Sequence, residues 1–294
     1  MRNQGTLGAE NFLRTFYLTL VFRIPYCVFR NDFATKSKNH YEIREMRKHP
    51  PMNSSSPLAI VTGAAHRLGR VFAHTLAKQG YAIFLHYNNA ADEAESTAAE
   101  LRSLGVDVIL AEANLADADS TQGLFALVDS SPHPLRVLVN SAATMQRADA
   151  RELTIADWDA TMNLNLRAPF ILAQQAQSRM SAAGGGLIVN ITDVAAEKAW
   201  SGFPTYTVSK AALQSLTKIL ARSFAPEVRV NAIAPGLVLP ADDFPPEEWK
   251  RLINRLPLKR PASMDEIASA LEFLLKNEYM TGQTITVGGG YSLL

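Results

Sequence analysis

Three side chains in the C-terminal half of the chain have the types and spacing to move a proton: Asp193, Tyr206 and Lys210. In Tyr206-Thr207-Val208-Ser209-Lys210 the phenol and the amine stand four residues apart, so they share one face if the stretch is helical. An ammonium held there would keep the phenol close to its ionised form. Asp193 lies thirteen residues earlier, at the end of the apolar run Ile188-Val189-Asn190-Ile191-Thr192. An acid at that offset poses the question of which proton is moved, and onto what.

These residues need a scaffold, and from Pro57 onward the hydrophobic period alternates between short apolar runs and longer helical patterns. Strands are expected at Leu58 to Thr62, Ala82 to Tyr87, Val106 to Ala111, Leu135 to Asn140, Gly186 to Ile191, Val228 to Ile233 and Thr284 to Val287. Helices are expected at Leu68 to Gln79, Asp92 to Leu104, Asp117 to Val128, Ile155 to Met180, Thr205 to Phe224 and Asp265 to Lys276. Strands alternating with helices imply right-handed βαβ crossovers, hence an α/β, doubly wound Rossmann-type parallel sheet with helices on both faces. One catalytic domain over residues 57–294 is expected, since no internal repeat or low-complexity linker follows Ser56.

The first strand-to-helix turn reads Thr62-Gly63-Ala64-Ala65-His66-Arg67-Leu68-Gly69-Arg70. Glycines there let the backbone approach a pyrophosphate, and the helix that follows offers unpaired N–H groups and a positive dipole end. The plainer reading is a tight turn, but its place between a strand and a helix favours a dinucleotide. At the end of the second strand, His86-Tyr87-Asn88-Asn89 offers no carboxylate for a ribose 2′-hydroxyl, so a 2′-phosphate meets no repulsion there and NADPH is expected. His66 and Arg67 would bring positive charge to the phosphates. His66 could equally be an exposed turn residue, and His86 a packed strand-end histidine.

With this turn, Asn165, the Tyr206/Lys210 pair, Leu138-Val139-Asn140-Ser141-Ala142-Ala143 and Pro235-Gly236, the chain resembles the short-chain dehydrogenase/reductase family from Pro57 to Tyr291. Within that family, Thr62 to Gly69, His86-Tyr87, Asp193 and Gly289-Gly290-Tyr291-Ser292-Leu293 are most similar to the pteridine reductases and the bacterial dihydropteridine (dihydromonapterin) reductases. The resemblance implies a seven-stranded sheet, a nicotinamide cofactor and a homodimer or homotetramer. It implies that Tyr206 donates a proton, that Lys210 lowers the Tyr206 pKa and binds the nicotinamide ribose, and that Asn165 holds a water. Cofactor contacts are implied at Gly63, His66, Arg67, Leu68, Gly69, His86, Tyr87, Asn88, Asn114, Leu115, Asn140, Ser141, Ala142, Tyr206, Lys210, Pro235 and Gly236. Substrate contacts are implied at Arg67, Met145, Asp193, Tyr206 and Phe244.

Two departures from the broad family fall together on the pteridine pattern: Asp193 stands where most members have Ser, and Arg67 where they have Gly. Others cut the opposite way. Asn89 stands where pteridine reductases often have Arg, Met145 where they stack a Phe on the pterin, and Ala143 lacks the hydroxyl often found there. Asn114 replaces an Asp that meets the adenine, and its amide can still hydrogen-bond. Met145 reads equally well as wall packing and as a polarizable cover for a ring.

The chemistry follows from the residue at position 193. Hydride transfer to an electron-poor carbon requires a neighbouring heteroatom to gain a proton. Beside a ketone the useful neighbour is a hydroxyl, because a carboxylate would repel the developing oxyanion. A pterin instead offers a ring nitrogen as proton acceptor and N–H donors along its flank. Asp193 therefore suits a dihydropterin-type substrate, either binding its amino-pyrimidine edge or passing a proton through Tyr206. The rival readings are a loop-capping Asp193, a carbonyl reductase of 3-oxoacyl thioesters or small ketones, and a catalytically silent, cofactor-sensing or scaffolding protein. Intact Asn165, Tyr206 and Lys210 oppose the silent reading. Leu237 to Arg260 is expected to form a lid, stiffened by Pro240, Pro245, Pro246 and Pro257, with Phe244 and Trp249 to cover a ring. Asp242 and Asp243 read as substrate contacts or as a solvated pair.

Composition fits this picture. With 47% apolar and 19% charged residues and net charge +1 over 294 residues, the chain suits a soluble globular protein with a sizeable core and gives no sign of a nucleic-acid partner. No metal is expected. Residues 1 to 52 carry nine Lys/Arg against four Asp/Glu, which leaves 20 basic and 24 acidic residues for the body. Within that leader, Phe16 to Phe22 is too short for a membrane span and Arg23 and Pro25 interrupt its continuation. Residues 1–56 read as an extension that is disordered or precedes a second start at Met52, as a targeting segment, or as a membrane contact. The single cysteine, Cys27, excludes an intrachain disulfide, and a cytoplasmic location is expected.

Overall fold

The computed structural model describes residues 56–294 apart from 242 and 243. The expectations for the leader, for Cys27 and for Asp242 and Asp243 lie outside the described residues.

Seven strands form one parallel sheet: β1 Leu58–Val61, β2 Ala82–Tyr87, β3 Val108–Glu112, β4 Leu135–Asn140, β5 Gly186–Ile191, β6 Val228–Pro235 and β7 Thr284–Val287. Their order is β3-β2-β1-β4-β5-β6-β7. Helices cover both faces, so the inner strands are apolar on both sides; every residue of β1 is buried. Along β1 the pleat sends Ala59 and Val61 to one layer and Leu58 and Ile60 to the other. The first layer receives Phe72, Ala73 and Leu76 of α1 (Arg67–Lys78), Ala94, Ala98 and Leu101 of α2 (Ala91–Ser103), and Ile267, Leu271 and Leu274 of α8 (Met264–Lys276). The second receives Leu124, Phe125 and Val128 of α3 (Ala118–Asp129), Leu172, Ala173, Ala176 and Met180 of α5 (Ala168–Ala182), and Leu220 and Ala221 of α6 (Pro204–Phe224). Each fully buried Leu or Phe contributes roughly 2–3 kcal/mol, so the packed faces hold the helices and leave their ends available for chemistry.

Chain order reverses between β3 and β4, which opens a crevice beyond the carboxyl ends of β1 and β4. The glycine turn, Asp193 and the start of the 237–260 segment all lie at carboxyl ends of strands.

The expected elements form, with some differences. β3 starts two residues late, after Val106 and Asp107 leave the turn that follows α2, and β6 runs on to Pro235 alongside β7. The stretch read as one helix from Ile155 is α4 (Ile155–Met162), a π-helical turn (Asn163–Arg167) and α5. The segment read as a proline-stiffened lid contains a helix, α7 (Pro246–Arg255). Pro246 at its first position and Glu247 and Glu248 in its first turn are helix-starting signals, outweighed in the sequence by the density of prolines.

Candidate active site

The glycine turn is built for close approach. Gly63 has φ +64°, and a Cβ there would stand 3.0 Å from the Cα of Ala142. At Gly69 a Cβ would fall 2.0 Å from the Gly63 carbonyl oxygen, so the helix can start under the turn only because Gly69 lacks one. His66 caps α1 through backbone alone, with no side-chain hydrogen bond and no acid in the first turn. The positive end of α1 therefore faces the crevice, which suits a phosphate.

His86 and Thr62 hold this turn from behind. His86 is buried, its Nδ1 accepts the Gly63 N–H at 3.2 Å, and its Nε2 stands 3.0 Å from the Ala113 carbonyl. Burial lowers its pKa to about 4, so the ring is neutral with its proton on Nε2. Of the two readings offered for His86, this geometry matches the packed strand-end histidine, which shapes the turn. Thr62 Oγ1 accepts the N–H groups of Ser141 and Ala142, each at 3.0 Å, and so joins the turn to the segment after β4. Thr62 thus braces the candidate site, a role its place within the glycine motif did not single out.

The proton-moving residues converge. Tyr206 OH donates to Asp193 Oδ2 at 2.7 Å. Asp193 Oδ1 accepts the Ala195 N–H at 2.7 Å and thereby caps the short 3-10 turn Val194–Glu197. Asp193 thus performs the loop-capping task with one oxygen and meets the phenol with the other. Lys210, 3% exposed, donates from Nζ to the Ile191 carbonyl at 2.7 Å and lies 5.6 Å above the centre of the Tyr206 ring.

Burial pushes the Tyr206 phenol well above its ordinary 10.0, and the Asp193 charge and hydrogen bond push it further. Lys210 sits over the ring face and not at the oxygen, so in this structure it does not bring the phenol near ionisation. Burial also raises the Asp193 carboxyl, against the pull of the Ala195 N–H, the Tyr206 hydroxyl and the Lys210 charge. Lys210 is lowered to about 8 by the same desolvation, with Asp193 opposing. The site holds a phenol that donates to a buried carboxyl whose ionisation burial disfavours.

Buried amides fix the surrounding loops. The π-helical turn aims Asn165 inward, where it is fully buried. Its Oδ1 accepts the Thr144 N–H at 2.9 Å, and its Nδ2 donates to the Thr144 carbonyl at 2.9 Å and to Ser209 Oγ at 3.0 Å. Asn165 therefore clamps the post-β4 loop to α6, one residue from Lys210. A second chain runs from Asn140 Nδ2 to Asn190 Oδ1 at 2.8 Å and from Asn190 Nδ2 to Thr217 Oγ1 at 2.9 Å. Asn190 and Ser209 were not singled out by sequence; their signal is a polar residue inside an otherwise apolar strand or helix face.

Of the other expected contacts, Leu115 and Pro235 are buried at strand ends, while Asn88 and Asn114 are exposed at the ends of β2 and β3. Tyr87 OH lies 3.4 Å from Glu112 Oε2, an acid one strand away that the β2 sequence did not reveal. Met145 is 47% exposed on the post-β4 loop. Phe244 packs edge-on against Trp249, ring centres 6.0 Å apart. Arg67 donates to the Pro240 and Leu239 carbonyls at 3.0 and 3.2 Å. Behind Asp193, Lys198 Nζ donates to the Ser292 carbonyl at 2.9 Å, and Trp200 meets Tyr291 edge-on at 5.6 Å, so the C-terminal residues brace the Asp193 loop.

The chain is similar to known proteins in sequence and in fold. Residues 63–292 match the sequence family described as enoyl-(acyl carrier protein) reductase. The chain is 34% identical over 237 residues to the 3-oxoacyl-(acyl-carrier-protein) reductase FabG of Staphylococcus aureus strain Mu50, covering 79% of this chain and 96% of that protein. The crystal structure of FolM alternative dihydrofolate reductase 1 from Brucella canis complexed with NADP superposes with TM-score 0.77 at 34% identity, covering 81% of this chain and 94% of that one. That of a blue fluorescent protein from a metagenomic library in complex with NADPH gives 0.76 at 31% identity, covering 82% and 100%. The chain belongs to the short-chain dehydrogenase/reductase family of oxidoreductases.

Proposed function

We propose that the protein is an NADPH-dependent reductase of pteridine substrates of the dihydropterin type. The observation that carries this reading is the 2.7 Å hydrogen bond from Tyr206 to Asp193 Oδ2 in a buried setting. NADPH supplies a hydride when bound; the residues around it fit, since the Gly63 turn admits a pyrophosphate and the α1 terminus carries no competing acid. The expected phosphate and ribose contacts from His66, Arg67 and Lys210 belong to this reading. Tyr206 gives its proton to the ring nitrogen next to the carbon that is reduced, and Asp193 replenishes it or receives the N–H donors of the pterin edge. The similarity to the Brucella FolM protein supports this choice.

A carbonyl reductase, acting on 3-oxoacyl thioesters or small ketones, is the second reading, favoured by the 34% identity to FabG. A panel of dihydropterins, 3-oxoacyl thioesters and small ketones with NADPH separates the two. Turnover of the dihydropterins well above the ketones is expected; turnover of thioesters alone would replace the first reading with the second.

Assembly as a homodimer or homotetramer and a cytoplasmic location complete the proposal. Among the described residues no helix is long and apolar enough to cross a membrane. Phe170 on α5 and Ile219 on α6 are 42% and 58% exposed and border one apolar depression with Met162, Leu166 and Leu216. Charging this surface with Phe170→Asp and Ile219→Asp is expected to yield monomers of about 32 kDa by light scattering. An unchanged assembly mass would place the interface elsewhere.

A further inference from the structure

Arg67 is in the left-handed region, with φ +51°, at a position where a bulky side chain costs backbone energy. That conformation sends its guanidinium across the mouth of the crevice, where it donates from Nη1 to the Pro240 carbonyl and from Nη2 to the Leu239 carbonyl. These two carbonyls lie four and five residues beyond the end of β6 at Pro235 and more than 170 residues away from Arg67 in sequence. Two nitrogens of one planar fork are thereby spent on consecutive peptide groups, a geometry that a lysine ammonium does not reproduce. Further along the same segment, Arg147 of the post-β4 loop lies 3.8 Å from Glu248 of α7. Leu239 and Pro240 are thus held to the glycine turn, and Glu248 of α7 faces the post-β4 loop.

We propose that Arg67 is a positioning residue for the substrate-side segment, its guanidinium holding the Leu239 and Pro240 carbonyls against the turn that receives the cofactor phosphates. Strain at Arg67 is retained because glycine, which would relieve it, has no fork to hold the segment.

The test compares Arg67→Gly and Arg67→Lys in the full chain, and its kinetic arm rests on the pterin reading. Hydrogen exchange of the Phe244 and Ala262 amides, which donate to the Ala241 and Leu237 carbonyls on either side of the held peptides, is expected to accelerate about tenfold in both variants when measured without ligand. The KM for a dihydropterin should rise about tenfold in both variants, with the loss falling on KM more than on kcat. Wild-type exchange rates in Arg67→Gly would overturn the proposal, and so would full recovery of KM in Arg67→Lys, which would make Arg67 a simple charge. If no pterin is turned over, the exchange result still decides the role of Arg67, while the pterin reading fails by itself.

Discussion

Tyr206→Phe is expected to lower dihydropterin turnover by roughly 10²–10⁴-fold with NADPH still bound, the range that a positioned proton donor contributes. The phenol oxygen is the only atom removed, and its one recorded partner is Asp193 Oδ2 at 2.7 Å. Asp193→Ser should cost about 10²-fold on the same substrate, because the acid that steadies and refills the phenol is replaced by a hydroxyl. Because the two act as one unit, the double variant should cost little more than Tyr206→Phe alone. The pH profile supplies an independent readout. Burial raises the Asp193 pKa, so its protonated form persists to higher pH than an ordinary carboxyl. Reduction consumes a proton, so wild-type turnover should fall as pH rises through that raised pKa, and Asp193→Ser should lose this limb. Equal pterin turnover in Asp193→Ser would sink the role given to the acid; stopped-flow measurement of NADPH oxidation distinguishes the outcomes.

Lys210→Met should abolish activity and stabilise the fold. Lys210 is lowered from 10.5 to about 8 by burial. In the pH range where both states are protonated, that difference amounts to about 3 kcal/mol against folding. Met has similar length and no charge to desolvate, though it forfeits the hydrogen bond to the Ile191 carbonyl, a loss of about 1 kcal/mol. The net gain near pH 7 is about 2 kcal/mol, or a melting temperature higher by ~4–8 °C for a body of this size. The sign follows from linkage. Between about 8 and 10.5 the unfolded chain holds more protons than the folded one, so wild-type stability rises with pH across that window. The advantage of Met should therefore be full at pH 7 and shrink above pH 8. Thermal melts of both proteins at pH 7 and pH 9.5 test this, and a less stable Met variant at pH 7 would contradict the burial argument. A lysine retained at such a cost fits a functional position.

Much of the architecture was legible in the chain. Runs such as Leu58 to Val61 and Leu187 to Val189 are apolar without alternation, which only a strand covered on both faces requires. The four-residue spacing of Tyr206 and Lys210 placed both on one face of α6 because helical geometry is local. Local signals failed where packing competed with them. The π-helical turn at Asn163–Arg167 exists because Asn165 is drawn inward to Thr144 and Ser209, contacts 21 and 44 residues distant in sequence. Helix α7 was hidden by prolines that start a helix as readily as they stiffen a loop.

By itself, then, the order of residues determined a doubly wound sheet, a phosphate-accepting turn and a Tyr–Lys–Asp set, because hydrophobic period, glycine placement and helical spacing act over a few residues. Tertiary structure decided how those groups behave. Whether Lys210 reaches the phenol oxygen or its ring face, whether His86 looks outward or props Gly63 from behind, and which carbonyls Arg67 takes are all set by segments distant in sequence. Desolvation depends on everything packed around a group, so the raised pKa values of Asp193 and Tyr206 had no local signature.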